Sequence, residues 1–258
     1  MSRLGVSAAL AASLMCCVAW AADAPFVGAW KLDPAKSRLT DRMQVESLGG
    51  NRYAFDFGVG TETVSADGSD QPGYGGTTLA VTLGGPDALK VVRKKGGHVL
   101  LEADWRLSRD GRSLTDDFTS FAPDGAASKL KYVYGRTAGT AGFAGTWEST
   151  SVAVDFSLLL KIQPYAADGL SIISPAADKP KDLRFDGRDY PNLSSNAARG
   201  TTYSARRSGE LSLEITDKLD GKLADTQQYQ LSSDLKTLTL TVHKPGMRAP
   251  SVFVFERQ

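Results

Sequence analysis

The chain repeats itself, and that restricts its architecture more than any other feature. Phe26-Val27-Gly28-Ala29-Trp30 returns as Phe143-Ala144-Gly145-Thr146-Trp147 at an offset of 117. Asp67-Gly68-Ser69-Asp70-Gln71-Pro72 returns as Asp186-Gly187-Arg188-Asp189-Tyr190-Pro191 at an offset of 119. Leu107-Ser108-Arg109-Asp110 returns as Leu231-Ser232-Ser233-Asp234 at 124, and Tyr132-Val133-Tyr134-Gly135-Arg136 as Phe253-Val254-Phe255-Glu256-Arg257 at 121. Four collinear blocks with nearly constant spacing imply duplication of a unit of about 115 residues, an ordinary domain size. The expected units are residues 25–137 and 143–258. Between them the small residues from Thr137 to Gly142 suit a short linker.

Within each unit the hydrophobic period is two. Tyr53, Phe55 and Phe57 recur at alternate positions, as do Val99, Leu101, Ala103 and Trp105; the second unit has Leu211, Leu213 and Ile215, then Leu238, Leu240 and Val242. Alternation with β-branched and aromatic enrichment marks half-buried strands. Gly49-Gly50, Gly96-Gly97, Asp110-Gly111, Ser208-Gly209 and Asp220-Gly221 separate them, and such pairs supply the positive φ that tight hairpins need. The expectation is all-β: two tandem antiparallel meander barrels, each of about eight strands with at most one short helix. Asp33-Pro34 places a capping side chain before a first-turn proline, the one helix-start signal, and Val154–Leu160 is readable as strand or short helix.

The first residues read as a targeting segment. Arg3 precedes an apolar run from Leu4 to Val18, and Ala19-Trp20-Ala21 provides the small residues of a cleavage site, so residues 1–21 are expected to be a signal peptide removed after Ala21. A lipid-anchored reading at Cys17 fits less well, because Met15 and Cys16 are not the small residues expected before it. The expected location is periplasmic or secreted. Both cysteines, Cys16 and Cys17, fall in this segment, so the mature chain would carry no thiol chemistry. Without Arg3 the 30 basic residues become 29, equal to the 29 acidic ones. The charges are interspersed, which argues against a nucleic-acid footprint.

Gly28, Trp30 and Arg136, and likewise Gly145, Trp147 and Arg257, form the motif set that carries a resemblance. A glycine two residues before a tryptophan opens each unit, and an arginine on the same face as two aromatics closes it. This resembles the calycin superfamily of lipocalins and fatty-acid-binding proteins, and is similar to exported bacterial lipocalin-like domains that share Phe26–Ser37 and the Asp186–Pro191 motif. The resemblance implies that the arginine of the last strand lies across the tryptophan of the first, closing one end of a barrel. These six residues are therefore expected to be structural.

Candidate chemistry is otherwise sparse. Asp67 with Asp70, or Asp186 with Asp189, could offer oxygens to calcium, but six to eight ligands are needed and a turn explains the motif better. His98 and His243 are the only histidines; neither recurs in the other unit, and no nucleophile motif accompanies either. No metal, cofactor or catalytic residue is expected. The lipocalin-like layout implies a carrier or sensor for a small apolar or aromatic ligand. Its expected lining is Tyr53, Phe55, Phe57, Tyr132 and Tyr134 in one unit and Phe253 and Phe255 in the other. A structural or interaction protein of the envelope with filled barrels, meeting a protein partner, is the alternative, and an enzyme on the same scaffold comes third.

Overall fold

A computed structural model describes residues 25–58 and 60–258; the expected signal peptide lies outside the described residues. The structure is all-β. The strands of the first half are β1 (Gly28–Leu32), β2 (Arg42–Gly49), β3 (Arg52–Asp56), β4 (Thr61–Ser65), β5 (Gln71–Pro72), β6 (Thr78–Leu83), β7 (Ala88–Lys95), β8 (His98–Leu107), β9 (Ser113–Phe121) and β10 (Ala127–Ala138). Those of the second are β11 (Gly145–Asp155), β12 (Leu159–Tyr165), β13 (Gly169–Ile173), β14 (Lys181–Leu183), β15 (Tyr190–Pro191), β16 (Thr201–Gly209), β17 (Ser212–Leu219), β18 (Lys222–Leu231), β19 (Thr237–His243) and β20 (Ser251–Arg257). A 3-10 turn at Tyr74–Gly76 is the one helical element among the described residues. The Asp33-Pro34 signal makes a single turn, in which Asp33 Oδ1 accepts the Ala35 N–H at 3.0 Å. Residues 154–160 are strand, loop and strand.

Two antiparallel sheets of ten strands each curl into near-barrels. Their orders are β4-β3-β2-β11-β10-β9-β8-β7-β6-β5 and β14-β13-β12-β1-β20-β19-β18-β17-β16-β15. The opening strands have therefore changed places: β11 sits between β2 and β10, and β1 between β12 and β20. The registers of the two exchanged slots match. Trp147 lies opposite Arg136 and Met43, while Trp30 lies opposite Arg257 and Leu160.

The linker accounts for the exchange. β10 and β11 are joined by six residues, Gly139 to Ala144, and fold back on each other as one long hairpin from Lys129↔Asp155 to Ala138↔Thr146. That hairpin fills the slot beside β10, because a short connection between antiparallel strands favours direct pairing. β1 then occupies the matching slot in the other barrel, and residues 33–41 carry the chain back across. They are sewn to β20 by the reciprocal Arg38–Val252 pairing at 2.7 Å, and to the residues just before it by Thr40 Oγ1 donating to the Ala249 carbonyl at 3.0 Å.

The Asp-Gly motif steers near-closure of each sheet. Asp67 bridges to Thr82, and the Gly68 N–H donates to the Val81 carbonyl at 2.8 Å, which turns the end of β4 toward β6. Gly187 donates to the Ala205 carbonyl at 3.2 Å in the second barrel. Both glycines take positive φ (82° and 73°), and both aspartates cap the turn by accepting the N–H two residues on.

Each barrel has one core, crossed by the exchange. Phe26, Trp30 and Leu32 pack with β12–β20 residues such as Leu160, Leu213 and Phe255, whereas Phe143 and Trp147 pack with Met43, Leu114 and Tyr134. Both tryptophans are fully buried and donate Nε1–H to the carbonyl four residues earlier at 2.9 Å.

Candidate functional site

The closed end of each barrel is built by the arginine and the tryptophan, and the partners are crossed. Arg136 lies over Trp147 at 4.1 Å and Arg257 over Trp30 at 4.2 Å. Each guanidinium is held by loop carbonyls: Arg136 donates to Gly111, Ala144 and Gly142, and Arg257 to Leu235, Val27 and Pro25. A planar donor fork over an indole face combines cation–π attraction with full use of its N–H groups. Gly28 and Gly145 have φ of 151° and 155°, and a Cβ on either would stand 2.8 Å from the arginine Nη1. The resemblance implies that Arg136 covers Trp30 and Arg257 covers Trp147; because β1 and β11 have changed slots, each arginine covers the other unit's tryptophan instead.

Beyond this plug the first barrel encloses a cavity of about 290 Å³. The lining follows β10 from Tyr134 to Tyr132, away from Arg136, and includes Met43, Leu101, Ala103, Trp105, Asp116 and Phe118. Alternation on β8 and β9 points Ala103 and Trp105, then Asp116 and Phe118, to one face of the sheet. Six of the fifteen lining residues are aromatic. Phe57 meets Trp105 edge-on at 6.4 Å, Phe118 meets Tyr132 edge-on at 6.1 Å, and Tyr132 stacks on Tyr134 at 5.6 Å.

The mouth is polar, and the exchange assembles it. Asp41 ends the crossing segment; its N–H donates to Ser149 Oγ at 2.8 Å and its carbonyl accepts the Ser149 N–H at 2.9 Å. Its carboxylate accepts the Tyr134 hydroxyl at 2.8 Å and faces Lys244, from the β19–β20 connection, at 3.8 Å. A lysine from the second unit thus lines the first barrel's cavity.

The other polar wall is a buried salt bridge. Arg93 donates to both oxygens of Glu62, at 2.9 and 2.5 Å, and to Thr77 Oγ1 at 2.9 Å, and its guanidinium lies 4.1 Å over the Tyr74 ring. Every charge in that group has a partner.

Asp116 does not share that condition. It is 4% exposed, and its Oδ1 has no hydrogen-bond partner; the Nε1 of Trp105, 2% exposed and directly across the ladder, has none either. Burial pushes the Asp116 carboxyl up to about 8. The Trp105 indole N–H opposes that rise without reaching hydrogen-bond geometry, while Asp41, Asp117 and Asp104 reinforce it. Burial also raises the Tyr132 and Tyr134 hydroxyls, with Asp41 adding to both. An unpaired polar group inside a protein costs about 1–3 kcal/mol, so two side by side in a cavity suit a partner that enters from outside.

The second barrel carries different residues at the matching positions. Its registers place Leu240 opposite Tyr229 where the first barrel has Asp116 opposite Trp105, and Gln227 opposite Val242 in place of Ala103 opposite Phe118. Asp217 and Lys181 stand at the positions of Arg93 and Glu62, so the ion pair survives with its signs reversed. Lys181 contacts both Asp217 oxygens at 2.8 Å, Gln227 donates to Asp217 at 2.8 Å and to Asp225 at 3.0 Å, and the Tyr229 hydroxyl donates to Gln227 at 3.2 Å. The polar groups there are joined to one another.

Of the expected lining, Phe57, Tyr132 and Tyr134 face the cavity. Phe55 packs behind it against Trp105 at 5.9 Å, with Tyr53 beyond, and Phe253 and Phe255 belong to the second core. Residue-type reasoning missed Asp116, Asp41, Trp105 and Lys244. Asp116 had a signal in the sequence, since a carboxylate occupies the inward phase of Leu114-Thr115-Asp116-Asp117-Phe118. Comparison of the chain with protein-family models, with curated proteins and with solved structures gave no match in any of the three.

Proposed function

We propose that this is a binding protein for a small aromatic or apolar molecule held in the first barrel. The observation that carries the reading is the unpartnered pair of Asp116 and Trp105 within aromatic walls. A volume near 290 Å³ stands at about the lower end of small-molecule sites, near 300 Å³, so the occupant is small. The lining holds no serine, cysteine or histidine, which favours binding over nucleophilic chemistry. The lipocalin-like layout supports a carrier or sensor role, and the N-terminal segment supports action in the periplasm or outside the cell.

A structural or interaction role is the second reading, favoured by the internally bonded network from Lys181 to Tyr229 in the second barrel. In this scheme the first barrel binds and the second supports it. Titration of the full chain with indole- and phenol-sized compounds, followed by Trp fluorescence and thermal shift, separates the two. Saturable binding that Ala103→Gln weakens is expected, because the larger side chain enters the cavity. A panel without one saturable response removes the carrier reading.

A further inference from the structure

We infer that the occupant is a small aromatic amine taken up as its cation, with the ammonium against Asp116 and the ring among Trp105, Phe57 and Tyr132. The inference rests on the binding-protein reading above and goes on to name the chemical class.

From β7 and β4, Arg93 and Glu62 neutralise each other through two hydrogen bonds. At the mouth Lys244 stands against Asp41, which also accepts the Tyr134 hydroxyl. On the outer side of β9 and β10, Asp117 is paired with Lys131 at 2.8 Å. Asp104 lies across the ladder from Asp117 on β8. Each cation close to the cavity therefore has its own carboxylate, while Asp116 keeps an unpartnered buried oxygen. The charged groups that raise the Asp116 carboxyl are Asp41, Asp117 and Asp104, of which Asp41 and Asp117 have lysine partners.

A buried carboxyl without a partner accepts an ammonium when ionised and repels an anion. The walls agree, because the negative faces of Trp and Tyr rings attract ammonium groups most strongly when water is excluded. An anionic ligand would need an uncommitted cation, and Arg93 and Lys244 are both engaged.

At neutral pH Asp116 holds its proton, since burial keeps its carboxyl up to about 8. An entering ammonium turns the neutral acid into a carboxylate, so binding releases one proton to solvent and forms an ion pair. Below the Asp116 titration, affinity rises about tenfold per pH unit. Above it the dependence levels off.

The experiment uses the full chain and two probes of nearly equal shape, phenethylamine and 2-phenylethanol. Calorimetry at pH 7 in phosphate and in Tris reads both affinity and protons released. The expected result is phenethylamine binding at least about tenfold tighter than the alcohol, with close to one proton released. Asp116→Asn abolishes both the preference and the proton release while alcohol binding stays. If that variant does not fold, Asp116→Leu, which copies Leu240 of the second barrel, serves the same purpose. Equal or tighter alcohol binding overturns the cation inference and leaves the binding-protein reading standing. Failure of both probes at millimolar concentration overturns the two together. Amine binding unchanged in Asp116→Asn overturns the assignment of Asp116.

Discussion

The two barrels share strand order, plug and closing turn, yet they treat their interior polar groups in opposite ways. In the second, Lys181, Asp217, Gln227, Asp225 and Tyr229 satisfy one another. In the first, Glu62 and Arg93 are satisfied while Asp116 Oδ1 and Trp105 Nε1 stay without partners in the cavity wall. Duplication supplied two equivalent frames. What sets them apart is a handful of inward positions, above all Asp116 against Leu240 and Ala103 against Gln227. A protein that leaves a buried carboxyl unpartnered in one copy, with a leucine at the same place in the other, has a local cost that packing alone does not explain.

The largest test asks whether the barrels are separable at all. Residues 25–138 lack β11, and residues 139–258 lack β1. Neither half alone should reach the full chain's denaturation midpoint, because its own opening strand has to turn back into a slot that the chain fills from the other half. Mixing the halves should restore that midpoint. A half that reaches it by itself shows that the exchange is dispensable.

The next largest concerns the sign-reversed ion pair. Glu62→Lys puts a lysine against Arg93 in a site where both partners are about 5% exposed, and breaking such a pair costs about 3–5 kcal/mol. Adding Arg93→Asp recreates the order found at Lys181 and Asp217 and should recover most of the loss. Lys181→Ala should cost less than Glu62→Lys, since that pair is 22% and 15% exposed. Urea unfolding of the four proteins checks the ranking.

A moderate effect is expected from Asp116→Leu. The native protein keeps the Asp116 proton up to about pH 8, whereas an unfolded aspartate loses it near about pH 4. Between these values the folded state binds more protons, so stability falls as pH rises and has fallen fully above the upper value. The variant should lose that slope and exceed the parent above pH 8 by about 2–4 kcal/mol. Thermal unfolding between pH 5 and 9 decides it, and a parallel slope in the variant would assign the titration elsewhere.

The smallest expected effect belongs to a pair the copies share. Lys94–Asp70 at 3.0 Å and Lys218–Asp189 at 2.7 Å occupy matching places and are partly exposed. Lys94→Ala and Lys218→Ala should each cost about 0–1 kcal/mol, with the difference shrinking at high salt. A larger loss in one copy only would reveal an asymmetry that the cavity does not explain.

Much of the frame was legible. Alternation located the strands, Gly-Gly and Asp-Gly located the turns, and the spacing of Trp and Arg indicated a stacked plug. The exchange was hidden for a physical reason. Met43 and Leu160, Val45 and Ile162, and Arg136 and Arg257 offer chemically similar sites to either opening strand, so pattern cannot say which strand takes which slot. The tight hairpin across Gly139–Ala144 settles it. The cavity was half legible: aromatics on the right phase indicated Phe57, Tyr132 and Tyr134. Asp41 and Lys244 come together only through the crossing, and Asp116 looked like one more acidic residue until its burial was known.

The exchanged strands also bear on time. β1 is synthesised before every other strand described here, and its slot between β12 and β20 is completed by residues 251–257. Until then the nearest vacancy of the right shape is the one beside β2, which β11 finally occupies. Two strands of one chain thus compete for a single berth, and the earlier arrival has to vacate it. In another tandem protein strand exchange is a folding error; here the unexchanged pairing would be the trap, and its escape rate, with contacts as distant in sequence as Trp30 and Arg257, would set the pace of folding.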